Sequence, residues 1–218
     1  MTLANFEGVI YDMDGVLTDS EPLWKIAMEE VFKSVGCPLT KEDFQRTVGL
    51  RIDEVITYWY HESPWPDKSP KEVEDAIVQR MIELLTERAT PLPGVIESLK
   101  FFTEKGLKIG LATSSYQVLI NCILDTLNIR SFFQTVHSAE FEIFGKPHPA
   151  VYLTAAKNLG LDPRKCLVIE DSLNGIISGK AARMTVICVP EKTHHPEPKL
   201  ILADAQFEDL NKLVEFFK

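Results

Sequence analysis

Four short apolar runs punctuate the chain, at residues 6–11, 107–112, 166–169 and 185–189. Each is bounded by polar or turn-forming residues and is too short for a helix, so each reads as a strand buried on both faces. Between the second run and the last, helical spacing takes over at about 117–127, 149–159 and 173–182, with a further candidate strand at 133–136. Strand and helix therefore alternate, which predicts a parallel sheet with helices on both faces. Right-handed crossovers make that a doubly wound α/β fold, in which ligands bind beyond the carboxyl ends of the strands.

From Thr18 to Ala89 the rhythm breaks. Only helical periodicity remains there: Trp24, Met28, Val31 and Val35, then Ile52, Val55, Ile56 and Trp59, then Val73, Ile77, Met81 and Leu84. Pro22 marks one border, and Pro91, Pro93 and Gly94 mark the other, where a linker should meet the next helix. The spacing predicts an α/β core made of residues 1–17 and 90–218 with an all-helical domain, 18–89, inserted into it. The polar, proline-rich stretch 191–199 is expected to be exposed.

Composition narrows the classes. The chain has 218 residues, enough for one full core and a smaller satellite. Its formal net charge of −9 repels nucleic acid and anionic membrane surfaces, so any phosphate-bearing ligand needs a local positive site. No apolar run reaches the roughly 18 residues that span a bilayer, and no basic segment precedes the first strand; a cytoplasmic protein is expected, and a monomer. Cys37, Cys122, Cys166 and Cys188 are widely separated and read as reduced thiols.

Chemistry concentrates where the predicted strands end. The first runs into Asp12-Met13-Asp14-Gly15, and in extended backbone residues two apart face the same side, so both carboxylates can look into one site. They repel each other, which calls for a cation or a shared proton. A calcium loop would need glycine sixth and a ligand fifth, whereas Gly15 comes fourth and Val16 is apolar. The second strand ends in Thr113-Ser114-Ser115, whose hydroxyls and N–H groups before a helix could hold an anion, although Ser115 taken alone reads as an ordinary N-cap. Lys146 stands in a stiff Gly145-Lys146-Pro147 loop; His148 beside it is read as structural. The next strand ends in Glu170-Asp171-Ser172. Four carboxylates against one lysine become a site for a phosphate dianion only if a hard divalent cation joins them, which points to Mg2+.

The set Asp12-x-Asp14-Gly15-x-x-x-Asp19-Ser20-Glu21, Thr113, Gly145-Lys146-Pro147 and Glu170-Asp171-Ser172-x-x-Gly175, in this order, resembles the phosphatases of the haloacid dehalogenase superfamily over essentially the whole chain. The resemblance implies a small phosphorylated metabolite as substrate. It implies Asp12 as nucleophile, Asp14 as general acid and base, and Thr113, Ser114 and Lys146 on the phosphoryl oxygens. Asp12, the Asp14 carbonyl and Asp171 would bind Mg2+, with Glu170 as an outer or alternative ligand, and the helical insert would be a substrate-selecting cap.

Within the insert, Ser20-Glu21-Pro22-Leu23-Trp24, Gly49-Leu50-Arg51-Ile52-Asp53, Trp59-Tyr60 and Pro64-Trp65 are similar to bacterial phosphatases of 2-deoxyglucose 6-phosphate and hexitol phosphates. That implies Arg51 and Glu21 as substrate contacts, while the helical spacing of Trp24 and Trp59 already explains them as cap core. Three rivals share the fold. A β-phosphoglucomutase-like phosphotransferase would carry a histidine where Trp24 stands, a dehalogenase would not need Asp14, and a non-catalytic phosphometabolite-binding regulator would not need the Asp12 and Asp14 pair.

Overall fold

The computed structural model describes residues 1–40, 43–44, 46–47, 50–190 and 198–218. Gly49 and residues 191–197, on which two of the expectations fall, lie outside the described residues. The first strand, β1 (Gly8–Tyr11), leads into α1 (Glu21–Ser34), α2 (Ile52–Glu62) and α3 (Pro70–Arg88). There follow α4 (Val95–Glu104), β2 (Lys108–Thr113), α5 (Gln117–Thr126), β3 (Thr135–Ser138), α6 (Ala150–Leu159) and β4 (Cys166–Glu170). The chain ends with α7 (Leu173–Ala181), β5 (Thr185–Cys188), β6 (Ala205–Gln206) and α8 (Leu210–Phe217).

The strands form one sheet in the order β3-β2-β1-β4-β5-β6, every neighbouring pair parallel. The fold is the doubly wound α/β arrangement. Side chains alternate across β1: Val9 and Tyr11 pack with Leu99 and Phe102 of α4 and Leu213 of α8, while Ile10 packs with Val151 and Ala155 of α6 and Ile176 of α7. Full burial on both faces explains why these strands are apolar at every position and not at every second one.

Two details differ from expectation. β3 begins two residues later than the predicted 133–136, because residues 130–132 form a 3-10 turn and Phe133 packs edge-on against the Tyr11 ring, 6.3 Å between centroids. The apolar residues there serve a turn. The edge strand β6 is only two residues long and carries no pattern to read.

The helical segment is built from its own faces. Val73, Ile77, Met81 and Leu84 of α3 are fully buried, and Ser69 opens this helix with a capping box: its hydroxyl accepts from Glu72 N at 3.3 Å while its own N–H donates to the Glu72 carboxylate at 2.8 Å. Pro70 sits at the first helical position, where a missing N–H costs nothing. α1 is rotated from the expected stripe; it buries Leu23, Ala27 and Phe32, leaving Trp24 and Met28 half-buried. The chain leaves the sheet and returns to it at one place, where Thr18 Oγ1 donates to the Thr90 carbonyl at 2.9 Å and Leu92 N donates to the Leu17 carbonyl at 3.0 Å. The four cysteines are free, and among the described residues no helix is long and apolar enough to cross a membrane.

Candidate active site

β1, β2 and β4 lie side by side in register at the centre of the sheet, Tyr11 opposite Leu111 and Ile169, so the residues that follow them converge on one carboxyl edge. Asp12 is held there by its main chain, its N–H donating to the Ile169 carbonyl at 2.9 Å. Met13 points into the core, and Asp12 and Asp14 both face a cavity of about 140 Å³. The turn after them depends on Gly15, at φ +69°, where any Cβ would overlap the Asp171 carboxylate.

Lys146 reaches this edge from the loop before α6. Its ammonium, 3% exposed, donates to Asp12 Oδ1 at 2.8 Å, Glu170 Oε1 at 2.6 Å and the Ala112 carbonyl at 3.2 Å, which accounts for all three of its protons. Burial works against the charge on Lys146, but the Asp12 and Glu170 carboxylates outweigh it and hold its pKa above the ordinary lysine value. Burial likewise raises Asp12, to about 7, with Lys146 opposing and Glu170 and Asp14 adding to the rise. For Glu170 the balance tips the other way: burial is offset by Lys146, and the carboxyl stays below its usual range.

Glu170 is saturated. Oε1 also accepts from the Tyr152 hydroxyl at 2.6 Å, and Oε2 accepts from Asp171 N, Ser172 N and Ser172 Oγ at 3.1, 3.2 and 3.0 Å. A carboxylate with both oxygens so engaged positions its neighbours and has little left for a ligand. Asp171 is the opposite case. Its side chain accepts no hydrogen bond among the described residues, and burial, then Glu170 and Asp12, push its pKa well above the carboxylate range. Asp12, Glu170 and Asp171 each bring an oxygen within 4.8 Å of the others.

Asp14 is tied on both oxygens. Ser20 Oγ and Trp24 Nε1 donate to Oδ1 at 2.5 and 3.3 Å, and Ser115 Oγ donates to Oδ2 at 2.6 Å. Ser115 is therefore not the helix N-cap, a position taken by Tyr116. Trp24 is not simply core either; it lines the cavity. Sequence reasoning missed Ser20 and Ser115 as partners of Asp14 and Tyr152 as a partner of Glu170. A signal existed for one pair: Ser20 and Trp24 are four apart at the start of a helix and so share a face. For Tyr152, six residues beyond Lys146, there was none.

Of the other expected residues, Thr113, Ser114 and Glu21 line the cavity, and Ser114 Oγ is buried without a partner among the described residues. Thr113 Oγ1 accepts from Ser115 N at 3.2 Å. Glu21 pairs with Lys25 at 3.3 Å. Arg51 stands apart from these. It does not line the cavity: its guanidinium is consumed by Asp53 and by the carbonyls of Ala139 and Glu142.

A family model for haloacid dehalogenase-like hydrolases matches residues 9–189, and the chain belongs to that family. It is an enzyme of the phosphatase kind. The chain is 42% identical over 205 residues to hexitol phosphatase B of Escherichia coli K12, covering 94% of this chain and 92% of that protein. It is 34% identical to a phosphorylated carbohydrates phosphatase of Thermotoga maritima over 81% of each chain. A solved β-phosphoglucomutase from Clostridium difficile superimposes with a TM-score of 0.83 over 95% of this chain and 93% of that one, at 25% identity.

Proposed function

We propose that the protein hydrolyses the phosphate monoester of a small sugar or hexitol in the cytoplasm, through an aspartyl phosphate formed on Asp12. The observation that carries this is the state of Asp12: buried, one oxygen fixed by Lys146, and the other accepting no hydrogen bond among the described residues, in a cavity it shares with Asp14. The hexitol and carbohydrate phosphatases to which the chain is similar support the substrate class.

In this reading Asp12 attacks phosphorus while the bond to the leaving oxygen breaks, and Asp14 supplies that oxygen with a proton. Asp14 then takes a proton from the water that attacks the aspartyl phosphate, which restores Asp12 and releases phosphate. A mixed anhydride is labile enough for that second step, so two easier displacements replace one hard one. Ser20 and Ser115 suit the cycle because a hydroxyl can donate to Asp14 when it is ionised and turn to accept when it is protonated. The free Ser114 hydroxyl would hold a phosphoryl oxygen with Thr113 beside it, and Lys146 would hold another by giving up one of its three present partners.

The site suits a small hard cation: three carboxylates converge, the Asp171 carboxylate has no donor among the described residues, and Gly15 leaves it the space a Cβ would fill. Asp12, Asp171 and the Asp14 carbonyl would hold Mg2+, which when bound neutralises this cluster and acts as a Lewis acid on the phosphoryl group. Glu170 is better suited to orienting Lys146 than to binding the metal directly. The helical segment 18–89 would close over the site as a cap, supplying Trp24, Met28 and Val55 to the cavity wall.

Single-turnover release of the leaving group tests the mechanism. A sugar alkoxide needs a proton to depart and p-nitrophenolate does not, so Asp14→Asn should slow the first by about 100- to 10,000-fold and the second far less. Equal slowing of both, with metal affinity intact, would remove Asp14 from the role of general acid.

A further inference from the structure

Leu50 and Ile52 both line the cavity, yet the arginine between them is turned to the core loop. Arg51 Nε and Nη2 donate to Asp53 Oδ1 and Oδ2 at 2.6 and 2.7 Å, and Nη1 donates to the carbonyls of Ala139 and Glu142 at 2.9 and 3.0 Å. The side chain is 12% exposed. Asp53 stands in the first turn of α2, where a carboxylate is favoured by the helix dipole, so its place does not depend on Arg51. Glu54 of the same turn accepts from Arg51 N at 3.1 Å.

The effect on the cavity is a one-sided distribution of charge. Among the described residues Lys146 is the one cationic side chain lining it, and Asp12 and Glu170 anchor that lysine at the phosphoryl end. The helical segment's share of the wall is Trp24, Met28, Phe44, Leu50, Ile52 and Val55, with Ser20, Thr47 and the acidic Glu21 as its polar groups. A second phosphate placed against this wall would meet apolar carbon and a carboxylate, while the Arg51 guanidinium, between Leu50 and Ile52 in the chain, is neutralised by Asp53.

We propose that the Asp53–Arg51 pair restricts this site to esters that carry one phosphate and a neutral remainder, and that Asp53 is the residue that sets the restriction. The proposal rests on the phosphatase reading and deepens it: a phosphorylated polyol or sugar is accepted, and the matching bisphosphate is refused. Asp53 acts through Arg51, as a positioning residue.

The test compares equilibrium binding of fructose 6-phosphate and fructose 1,6-bisphosphate, which differ by one phosphate, to protein carrying Asp12→Asn so that neither is turned over. The monophosphate should bind on the order of tenfold more tightly. Adding Asp53→Asn should shrink that preference by roughly tenfold, through release of the Arg51 charge toward the cavity. Arg51→Gln added to Asp53→Asn should restore the preference, and Asp53→Glu should keep it; a merely structural role would not produce this pattern. An unchanged ratio in a natively folded Asp53→Asn protein, or a bisphosphate bound as tightly as the monophosphate before that change, overturns the proposal. Failure of the phosphatase reading shows separately, as absence of phosphate release from any ester by the unaltered enzyme; failure of both esters to bind sinks the two together.

Discussion

Replacing Lys146 by methionine keeps the unbranched stem of the side chain and removes the one cation beside Asp12, Glu170 and Asp171. The lysine serves Asp12 and Glu170 at 2.8 and 2.6 Å and also satisfies the Ala112 carbonyl. Removing one partner of a buried pair costs about 3–5 kcal/mol, since the other charge is left uncompensated. Here two are left, which places the expected loss toward the upper end of that range and lowers Tm by roughly 10 °C or more for a chain of this size. The sign of the pH dependence follows from the two carboxyls. Glu170, held low by Lys146, contributes stability above its unfolded pKa, and the substitution removes that contribution. Asp12, already raised to about 7, loses the lysine that opposed the rise, so folding increasingly favours its protonated form. Both changes make the penalty grow as pH rises and shrink toward pH 5. Urea unfolding at pH 5.5 and 8 in the presence of a chelator reads this directly, and Lys146→Met combined with Glu170→Gln should recover part of the loss in a double-mutant cycle. A penalty below about 1 kcal/mol, or one equal at the two pH values, would refute the view that Lys146 holds this cluster together.

Two further outcomes are expected. Mg2+ should raise Tm by binding the folded state alone, and Asp171→Asn should abolish that shift; an undiminished shift would exclude Asp171 as a ligand. Gly175→Ala should cost about 2–3 kcal/mol in chemical denaturation, because the new Cβ overlaps a Glu170 carboxylate that Lys146 and Tyr152 keep from yielding; a neutral result would mean that Glu170 is not held as described.

The central strands were readable because parallel strands covered on both sides must be apolar throughout, and the acidic and hydroxyl residues that break those runs fall at the sheet edge for the same reason. What could not be read was where polar side chains spend their hydrogen bonds. Arg51 sits in a short segment between helices and is expected as a substrate contact, yet its Nη1 partners are main-chain carbonyls 88 and 91 residues away. No side-chain pattern encodes a carbonyl. Glu170 and Asp171 are neighbours of the same charge and look interchangeable in sequence, but one is saturated by donors and the other has none among the described residues. Trp24 fits a helical stripe as well as it fits a cavity wall, and only the rotation of α1 decides between them.

The hydrogen bonds that join Thr18 to Thr90 and Leu17 to Leu92 bring the two ends of a long helical excursion within a single turn's reach of each other. To the sheet, the whole excursion is then equivalent to a tight loop. The strand register that sets the ends of β1, β2 and β4 side by side is fixed by sheet pairing outside the excursion. Evolution can lengthen, shorten or exchange the excursion beyond Ser20 and Trp24, which hold Asp14, while the reaction stays as it is, so new substrates can be tried on chemistry that already works.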